Sequence, residues 1–224
     1  MNTNLVILPT RGRPDRARQC LEALKEHSVI SDFVVGLDDD DSADYMKDPV
    51  PGVSYDINPR LKMNGTLNLL ANKYADKYES IYFLGDDHLV RTPGWDEKLY
   101  APIKEKGYGV SYGDDLFQGE NLPTAVMQSA NIVRHLGYFS PPKLIHLYMD
   151  NYWKLLGQTM GALFYRDDVV VEHMHYLAGK SEEDAGYQEV NSGPTYTHDR
   201  QVFVEYFENE YPEILKGLVE KFVV

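Results

Sequence analysis

Short apolar runs alternate with helical patterns along the first 90 residues of the chain. The runs are typical of buried β-strands and cover residues 5–8, 33–37, 53–57 and 81–84, the third being the weakest. A helix is predicted from Pro14, a residue that suits the first helical turn, by apolar residues at helical spacing, namely Ala17, Cys20, Leu21 and Leu24. A second helix, with Asn64 or Thr66 expected to cap it, is predicted by Leu67, Leu70, Ala71, Tyr74 and Tyr78.

Strands and helices that alternate at this spacing predict an α/β fold with a mostly parallel central sheet. Ligands bind such a sheet beyond the carboxyl ends of its strands. Three polar loops follow predicted strand ends, at residues 10–13, 38–42 and 86–88. We therefore expect these loops to converge on one crevice.

The second half of the chain has a less regular pattern. Residues 109–112 predict a strand, and residues 144–156 contain helical stretches that we expect to end at Gly157. Residues 162–165 and 169–175 predict two strands joined by a turn at 166–168. Residues 202–207 and 214–222 have mostly helical spacing and predict a C-terminal helical tail. The expected organisation is one domain over residues 1–176, with a helical extension over residues 177–224 that packs on it.

Composition and charge narrow the class of protein. The chain has 224 residues, of which 43% are hydrophobic, enough for the core of one domain. Cys20 is the only cysteine, which excludes an internal disulfide and a cysteine-cluster zinc site. No run reaches the roughly 20 apolar residues of a membrane span, and no signal-peptide pattern is found, so a cytoplasmic protein is expected. The net charge of −13 disfavours a protein that mainly grips a phosphate backbone.

The segment from Gly85 to His88 is the most informative one for chemistry. Asp86, Asp87 and His88 follow a predicted strand, where two carboxylates and an imidazole can hold Mg²⁺ or Mn²⁺. Such a cation would neutralise charge on a departing nucleotide. The alternative is a plain polar loop. His173 and His175 are two apart on a predicted strand and therefore share a face; one of them could complete the coordination, or both could be structural.

Four segments together resemble the GT-A-fold glycosyltransferases, in particular small bacteriophage and bacterial members of the large inverting family. They are Ile-Leu-Pro-Thr-Arg-Gly-Arg-Pro at residues 7–14, Val-Gly-Leu-Asp-Asp-Asp-Asp at 35–41, Phe-Leu-Gly-Asp-Asp-His at 83–88 with Pro-Gly-Trp at 93–95, and Tyr-Met-Asp-Asn at 148–151. The resemblance covers roughly residues 4–176. It implies a GT-A (Rossmann-like) sheet flanked by helices, a nucleotide-sugar donor, and Mn²⁺ or Mg²⁺ as cofactor.

The resemblance also implies roles for individual residues. The nucleotide-sugar donor would be bound by Thr10, Arg11, Arg13, Asp38, Asp39, Arg60, Asn64, Gly65 and Asp86. The metal ligands would come from Asp87, His88, His173 and His175, where His88 stands in place of the last aspartate of the family's Asp-x-Asp motif. That departure leaves open which of Asp87 and His88 contacts the ion.

Three further aspartates are candidates for the reacting side of the site. Asp150 resembles the general base of inverting members, which takes the proton from the acceptor hydroxyl. Asp150 is also a candidate to cap a helix over residues 151–156, a role that is compatible with the catalytic one. Asp114 and Asp115 follow a predicted strand and would bind hydroxyls of the sugar or acceptor, or form a plain loop.

The predicted function is the inverting transfer of a sugar from a UDP-sugar, or another nucleotide-sugar, to an acceptor hydroxyl. The acceptor is left open between a hydroxylated base in phage DNA, a glycan and a small molecule. A sugar nucleotidyltransferase is a second hypothesis, although residues 11–13 offer one glycine where that class has a glycine-rich loop. A non-catalytic module that binds a nucleotide or sugar is the third.

Overall fold

A curled sheet of eight strands forms the centre of the protein, and the structure, a computed structural model, describes residues 2–223. The strands are β1 (Asn4–Pro9), β2 (Ser31–Asp38), β3 (Ser54–Asn58), β4 (Ser80–Phe83), β5 (His88–Val90), β6 (Val110–Asp114), β7 (Val126–Ser129) and β8 (Leu163–His173). The α-helices are α1 (Pro14–His27), α2 (Ser42–Tyr45), α3 (Lys62–Tyr74), α4 (Trp95–Lys106), α5 (Ala130–Leu136), α6 (Met149–Thr159), α7 (Ala185–Val190), α8 (Gly193–Glu205) and α9 (Tyr211–Leu218). Wider helical turns follow α8 and α9, at Tyr206–Glu210 and Val219–Val223.

The strand order is β3-β2-β1-β4-β7-β6-β8-β5. Strands β3, β2, β1 and β4 run parallel to one another, β7 lies antiparallel between β4 and β6, and β8 runs parallel to β6. The short strand β5 closes the far edge, antiparallel to β8. This arrangement confirms the predicted α/β fold and brings the carboxyl ends of β1, β2 and β4 to one edge.

Both faces of the sheet are buried, which explains why its central strands are almost continuously apolar. In β1, Leu5 and Ile7 pack on the side of α3, α5 and α6, whereas Val6 and Leu8 pack on the side of α1 and α4. The C-terminal helices add Tyr206, Tyr211 and Leu218 to the first of these clusters. No helix among residues 2–223 is long and apolar enough to cross a membrane.

Three predicted helix boundaries are wrong, namely both ends of α3 and the C-terminal end of α6. Helix α3 begins at Lys62, so Asn64 and Thr66 lie inside it instead of capping it, and Tyr78 lies beyond its last residue. Asn64 is placed inside because its side-chain amide donates to the buried carbonyls of Pro141 and Leu144. Gly157 also lies within a helix, α6, where a Cβ atom would come 2.8 Å from the side chain of Leu163.

The predicted division into two strands at residues 166–168 is wrong, since β8 runs as one strand from Leu163 to His173. The chain is nevertheless irregular at this point: the pairing with β6 jumps from Arg166 to Val170 while β6 advances only from Gly113 to Asp114, so residues 167–169 form a bulge. Arg166 and Asp168, two residues apart, pair through their side chains. Because β8 ends at His173, His175 lies outside the strand and does not share a strand face with His173. His175 has an extended backbone and directly precedes the turn Tyr176–Ala178.

Candidate functional site

A cleft of about 570 Å³ opens at the carboxyl ends of β1, β2 and β4. The three polar loops that the sequence places at these strand ends all contribute to its walls. Of the residues predicted for the site, the lining contains Thr10, Arg11, Arg13, Asp38, Arg60, Asp86, Asp87, His88, Asp150, His173 and His175. The predicted residues outside the lining are Asp39, Asn64, Gly65, Asp114 and Asp115.

Asp87, His88 and His173 form a group suited to a metal ion. One ligand atom from each residue lies within 4.8 Å of the others. The antiparallel pairing of β5 with β8 sets His88 directly opposite His173, and the two imidazole rings stack with centroids 4.0 Å apart. The pairing of β5 with β8 therefore brings His173 next to the aspartates that follow β4.

The chemistry of these residues fits a divalent cation. The Nδ1 atoms of His88 and His173 are buried and make no well-oriented hydrogen bond within residues 2–223, although each has a carboxylate oxygen within 4 Å. Oδ1 of Asp87 lies 3.0 Å from Nδ1 of His88, and its Oδ2 lies 3.3 Å from Nε2 of His173. A Cβ atom at residue 85 would come 2.7 Å from Oδ1 of Asp87, so Gly85 leaves this carboxylate its space. One carboxylate and two imidazoles suit Mn²⁺ or a similar transition metal better than Mg²⁺, which prefers oxygen ligands.

His175 has a different environment from the two stacked histidines. Its Nδ1 atom accepts the backbone N–H of Leu177, and its ring stacks on Phe117 with centroids 5.6 Å apart. Burial lowers the pKa of His175. Of His173 and His175, His173 is the one that lies with Asp87 and His88 in the candidate metal group.

Asp115 lies behind the histidine pair, outside the cleft. Its Oδ2 atom accepts the hydroxyl of Thr124 at 2.7 Å and lies 3.7 Å from Nδ1 of His173. Its Oδ1 atom accepts three consecutive backbone N–H groups, from residues 117–119. Asp114 similarly accepts the N–H of Leu116. The structure thus places these two aspartates in supporting positions for the loop beside the histidines.

The protonation states of Asp87, His88 and His173 depend on one another. Burial lowers the pKa of His173, but the carboxylates of Asp115 and Asp87 outweigh it and raise that pKa to about 9. Burial opposes ionisation of Asp87, yet the imidazoles of His173 and His88 hold its pKa well below the ordinary value. Burial and the charge of His173 lower the pKa of His88. Near neutral pH the metal-free group is therefore an ionised Asp87 beside a protonated His173 and a neutral His88.

Asp86 fastens the first loop to the end of β4. Its Oδ2 atom accepts the hydroxyl of Thr10 at 2.6 Å, and its Oδ1 atom accepts the guanidinium of Arg13 at 3.0 Å. Burial and the adjacent charge of Asp87 raise the pKa of Asp86 to about 6. This carboxylate is consequently engaged with protein groups at one wall of the cleft.

The acidic loop after β2, residues 38–41, accepts hydrogen bonds from the loop after β1, residues 10–13. Arg11 donates to Asp38 at 2.8 Å and to Asp40 at 2.5 Å. The N–H of Gly12 donates to Asp41 at 2.7 Å. Asp39 is exposed, and its backbone N–H donates to the carbonyl of Asn58. Asp38, at the end of β2, is accordingly the member of this acidic run that reaches the cleft.

Asn64 is fully buried under the cleft floor. Besides donating to the carbonyls of Pro141 and Leu144, at 2.7 and 2.8 Å, it accepts the hydroxyl of Ser140 at 2.5 Å. It thereby fixes the chain that leads to the cleft residues 145–150. From the same helix, Lys62, Met63 and Thr66 face the cleft.

Asp150 is the second residue of α6 and is partly buried in the cleft wall. The prediction that it caps this helix is wrong, because Tyr148 occupies the cap position. Burial raises the pKa of Asp150. A carboxylate with a raised pKa is a stronger base once ionised, which suits proton removal from a bound hydroxyl.

Two parts of the cleft were not found by reading the sequence. His146 lines the cleft, where burial lowers its pKa to about 4 and keeps it neutral. Its loop is held by buried Asp199 of α8, which accepts the backbone N–H groups of residues 145–147 at 2.7–2.9 Å. The second part is α7, whose Tyr187 hydroxyl donates to Oδ2 of Asp87 at 2.7 Å. Nothing local in the sequence marks either contact, since both join distant segments.

Comparisons with known proteins identify the fold. The chain matches no protein-family model and no curated protein sequence. It is similar to the solved structure of Staphylococcus aureus TarS, with a TM-score of 0.57 and 13% identity over 93% of this chain. The match covers 43% of the TarS chain, so this chain spans less than half of that protein's length.

Two further solved structures have the same fold. One is a protein from Desulfovibrio desulfuricans assigned as a nucleotide-diphospho-sugar transferase, with a TM-score of 0.50 and 10% identity over 92% of this chain and 99% of the other. The second is Rv0371C from Mycobacterium tuberculosis in complex with manganese, with a TM-score of 0.52 and 12% identity over 78% of this chain and 93% of the other. These likenesses confirm the GT-A-like fold that the resemblance implied.

Proposed function

We propose that this protein is a metal-dependent glycosyltransferase that moves a sugar from a nucleotide-sugar to an acceptor hydroxyl. The observation that carries the proposal is the cleft itself. In one cavity at the carboxyl ends of parallel strands it combines the group Asp87, His88 and His173 with the half-buried carboxylate of Asp150. The shared fold with nucleotide-diphospho-sugar transferases supports the same assignment.

The proposed metal is Mn²⁺, held by Asp87, His88 and His173. Two imidazole ligands favour a transition metal over Mg²⁺, and Rv0371C, which shares the fold, was solved with manganese. When bound, the cation would neutralise charge on the diphosphate leaving group. The protein's own contribution is a site in which a nearly buried carboxylate, 10% exposed, remains ionised.

The proposed donor is a UDP-sugar whose nucleotide lies against the ends of β1 and β2. Thr10, Arg11 and Asp38 line that part of the cleft and offer a hydroxyl, a guanidinium and a carboxylate for the base and ribose. Their positions are fixed by Asp86 and by the loop after β2. Hydrogen-bonding groups that are already held in place lower the entropic cost of binding.

Asp150 is proposed as the general base. The acceptor hydroxyl would lose its proton to this carboxylate as its oxygen attacks the anomeric carbon, and the nucleotide diphosphate would leave from the opposite face. A single displacement of this kind inverts the anomeric configuration. The basic side chains Arg11, Arg13, Arg60 and Lys62 in the cleft are all paired with carboxylates. The net charge of −13 supports a glycan or small-molecule acceptor over a hydroxylated base in phage DNA.

The test is donor hydrolysis, because transferases slowly pass sugar to water and no acceptor need be known. The purified protein would be incubated with a panel of nucleotide-sugars, with Mn²⁺ or with a chelator, while release of free nucleotide is followed. Metal-dependent release from one donor, absent in an Asp87→Asn variant, is the expected result. If no donor is hydrolysed and none raises the melting temperature, the proposal is wrong; binding without turnover would indicate a binding module.

A further inference from the structure

The segment that follows the turn after β8 covers one side of the cleft. This cover segment consists of residues 184–191, that is Asp184, helix α7 and Asn191. Most of its residues line the cleft, including Tyr187 and Glu189. Its polar side chains point to the same groups that a nucleotide diphosphate and its cation would need.

Carboxylates of the cover segment engage basic residues of the cleft wall. Arg60 donates to both carboxylate oxygens of Glu189, at 2.6 and 2.8 Å, and Lys62 pairs with the same carboxylate. Arg13 donates to the two oxygens of Asp184, at 2.5 and 2.9 Å. Arg13 uses two nitrogens, the two-pronged geometry by which arginine recognises both carboxylate and phosphate, whereas Arg60 uses one nitrogen for both oxygens of Glu189. Each of these carboxylates therefore occupies a position that suits a phosphate group.

Lys62 has an unusual backbone for a lysine. Its φ is +63°, in the left-handed region that favours glycine. A non-glycine residue held there is strained and is found most often at functional sites. Lys62 lies at the first turn of α3 and lines the cleft. Its only ion pair among residues 2–223 is with Glu189.

Tyr187 of the cover segment contacts both the proposed metal ligand Asp87 and the guanidinium of Arg13. Its hydroxyl donates to Oδ2 of Asp87 at 2.7 Å, the oxygen that also lies nearest His173. Its ring packs under the guanidinium of Arg13, 4.4 Å from the ring centroid. The cover segment thus reaches the proposed metal ligand and the proposed phosphate-binding residues at once.

We propose that the cover segment is an internal competitor of the donor: Glu189 and Asp184 occupy the diphosphate subsite formed by Lys62, Arg60 and Arg13, and Tyr187 occupies Asp87. This inference depends on the proposed function, since it concerns regulation of that site. The donor-free protein is self-masked, and a metal-bound nucleotide diphosphate must displace the segment to bind.

The first experiment measures the affinity of UDP, GDP, ADP and CDP by isothermal titration calorimetry, each with Mn²⁺. Glu189→Gln removes the competing charge, and we expect about three- to tenfold tighter binding of the diphosphate that wild type binds, since its ion pairs are partly exposed. Glu183→Gln is the matched control, because it removes one charge from an exposed position in the same stretch. Equal affinities in the two variants would overturn the proposal while leaving the proposed function intact.

The second experiment follows backbone hydrogen exchange of residues 184–191 in the wild-type protein. A displaced competitor should exchange faster when the nucleoside diphosphate and Mn²⁺ are added. Slower exchange would mean that the segment clamps onto the ligand, which contradicts the proposal. If neither wild type nor Glu189→Gln binds any nucleoside diphosphate, both the masking and the proposed function are wrong.

Discussion

At the scale of single residues, the proposed metal site depends most on Asp87, which contacts both histidines. Asp87→Asn keeps the shape of the side chain but removes the charge, so we expect Mn²⁺ affinity to fall by at least about 100-fold. The measurement is calorimetric titration of the purified variant with Mn²⁺. Asp39→Asn is the control, since Asp39 is exposed and lies outside the cleft lining, and this variant should bind Mn²⁺ like wild type. Unchanged affinity in Asp87→Asn would remove the metal assignment.

A second residue-scale prediction separates binding from chemistry at Asp150. Asp150→Asn should retain donor and Mn²⁺ affinity but lower kcat by about 10²–10⁴-fold, the range typical of a lost general base. Steady-state kinetics on the donor and acceptor found by screening would give kcat and KM separately. Asn151→Ala, at the exposed neighbouring position, should keep its turnover. Retained turnover in Asp150→Asn would make Asp150 a structural residue.

The raised pKa of His173 predicts how stability depends on pH. The folded-state pKa of about 9 lies above the ordinary value of 6.5, so the protonated form stabilises the fold fully below pH 6.5. That contribution is lost as the pH rises toward 9, at up to about 1.4 kcal/mol per pH unit. Urea unfolding from pH 6.5 to 8.5 in chelator should show this loss. Saturating Mn²⁺ should abolish it, because the metal replaces the proton.

The matched variant for the pH prediction is His173→Gln, which has no proton to lose in this range. Its metal-free stability should vary less with pH than that of wild type. Identical slopes for the two proteins would show that another group causes the dependence. The same variant should bind Mn²⁺ more weakly, which checks that the titrating group and the proposed ligand are one residue.

The sequence predicted the cleft residues that directly follow strands, but it did not predict those that reach the cleft from distant segments of the chain. Asp38 and Asp86 could be placed at the cleft because a parallel sheet brings its strand ends together. Tyr187 and His146 could not, because their positions depend on contacts with Asp87 and Asp199 that no local pattern encodes. The sequence also put Asn64 at the cleft, whereas its amide satisfies carbonyls beneath the floor.

At the scale of elements, the strands with apolar runs and helices α1 and α3 were predicted, whereas two short strands and two helices were missed. The four residues that predicted α1 are its buried positions. In contrast, β5 has only three residues and the four-residue β7 ends in the polar Gln128 and Ser129, so neither gives an apolar run like that of β4. Helices α4 and α5 were not predicted either. The omission of β5 matters most, because its pairing with β8 brings His173 to His88.

The contact between β2 and α3 gives an element-scale prediction. Gly36 lets the helix lie directly on the strand, since a Cβ atom there would come 2.4 Å from Cγ2 of Thr66. Gly36→Ala should therefore lower the free energy of unfolding by about 1–3 kcal/mol. Adding Thr66→Ser removes the clashing methyl group and should recover much of the loss. Urea unfolding of both variants tests this; a double variant no more stable than Gly36→Ala would place the strain elsewhere.

At the scale of the whole molecule, the question is whether the C-terminal helices are an appendage or part of the fold. Tyr206, Tyr211 and Leu218 are at most 5% exposed and belong to the same apolar cluster as α3, α5 and α6. Burial of each such side chain contributes about 1.5–3 kcal/mol. In addition, Asp199 accepts hydrogen bonds from the backbone of residues 145–147, which line the cleft. These contacts lead us to expect one cooperative unit that includes residues 193–218.

Truncation tests this expectation directly. A chain that ends at residue 192 would lose these three buried side chains and leave the amides of residues 145–147 without Asp199. The summed loss is comparable to the roughly 5–15 kcal/mol that stabilises a typical domain. We therefore expect no cooperative thermal transition in the truncated chain, whereas the full chain should unfold in one step. A truncated chain that melts cooperatively and binds Mn²⁺ like wild type would mean that the helices are an independent extension. In that case Asp199 could not be what holds the loop of His146 in the cleft, because the cleft would form without it.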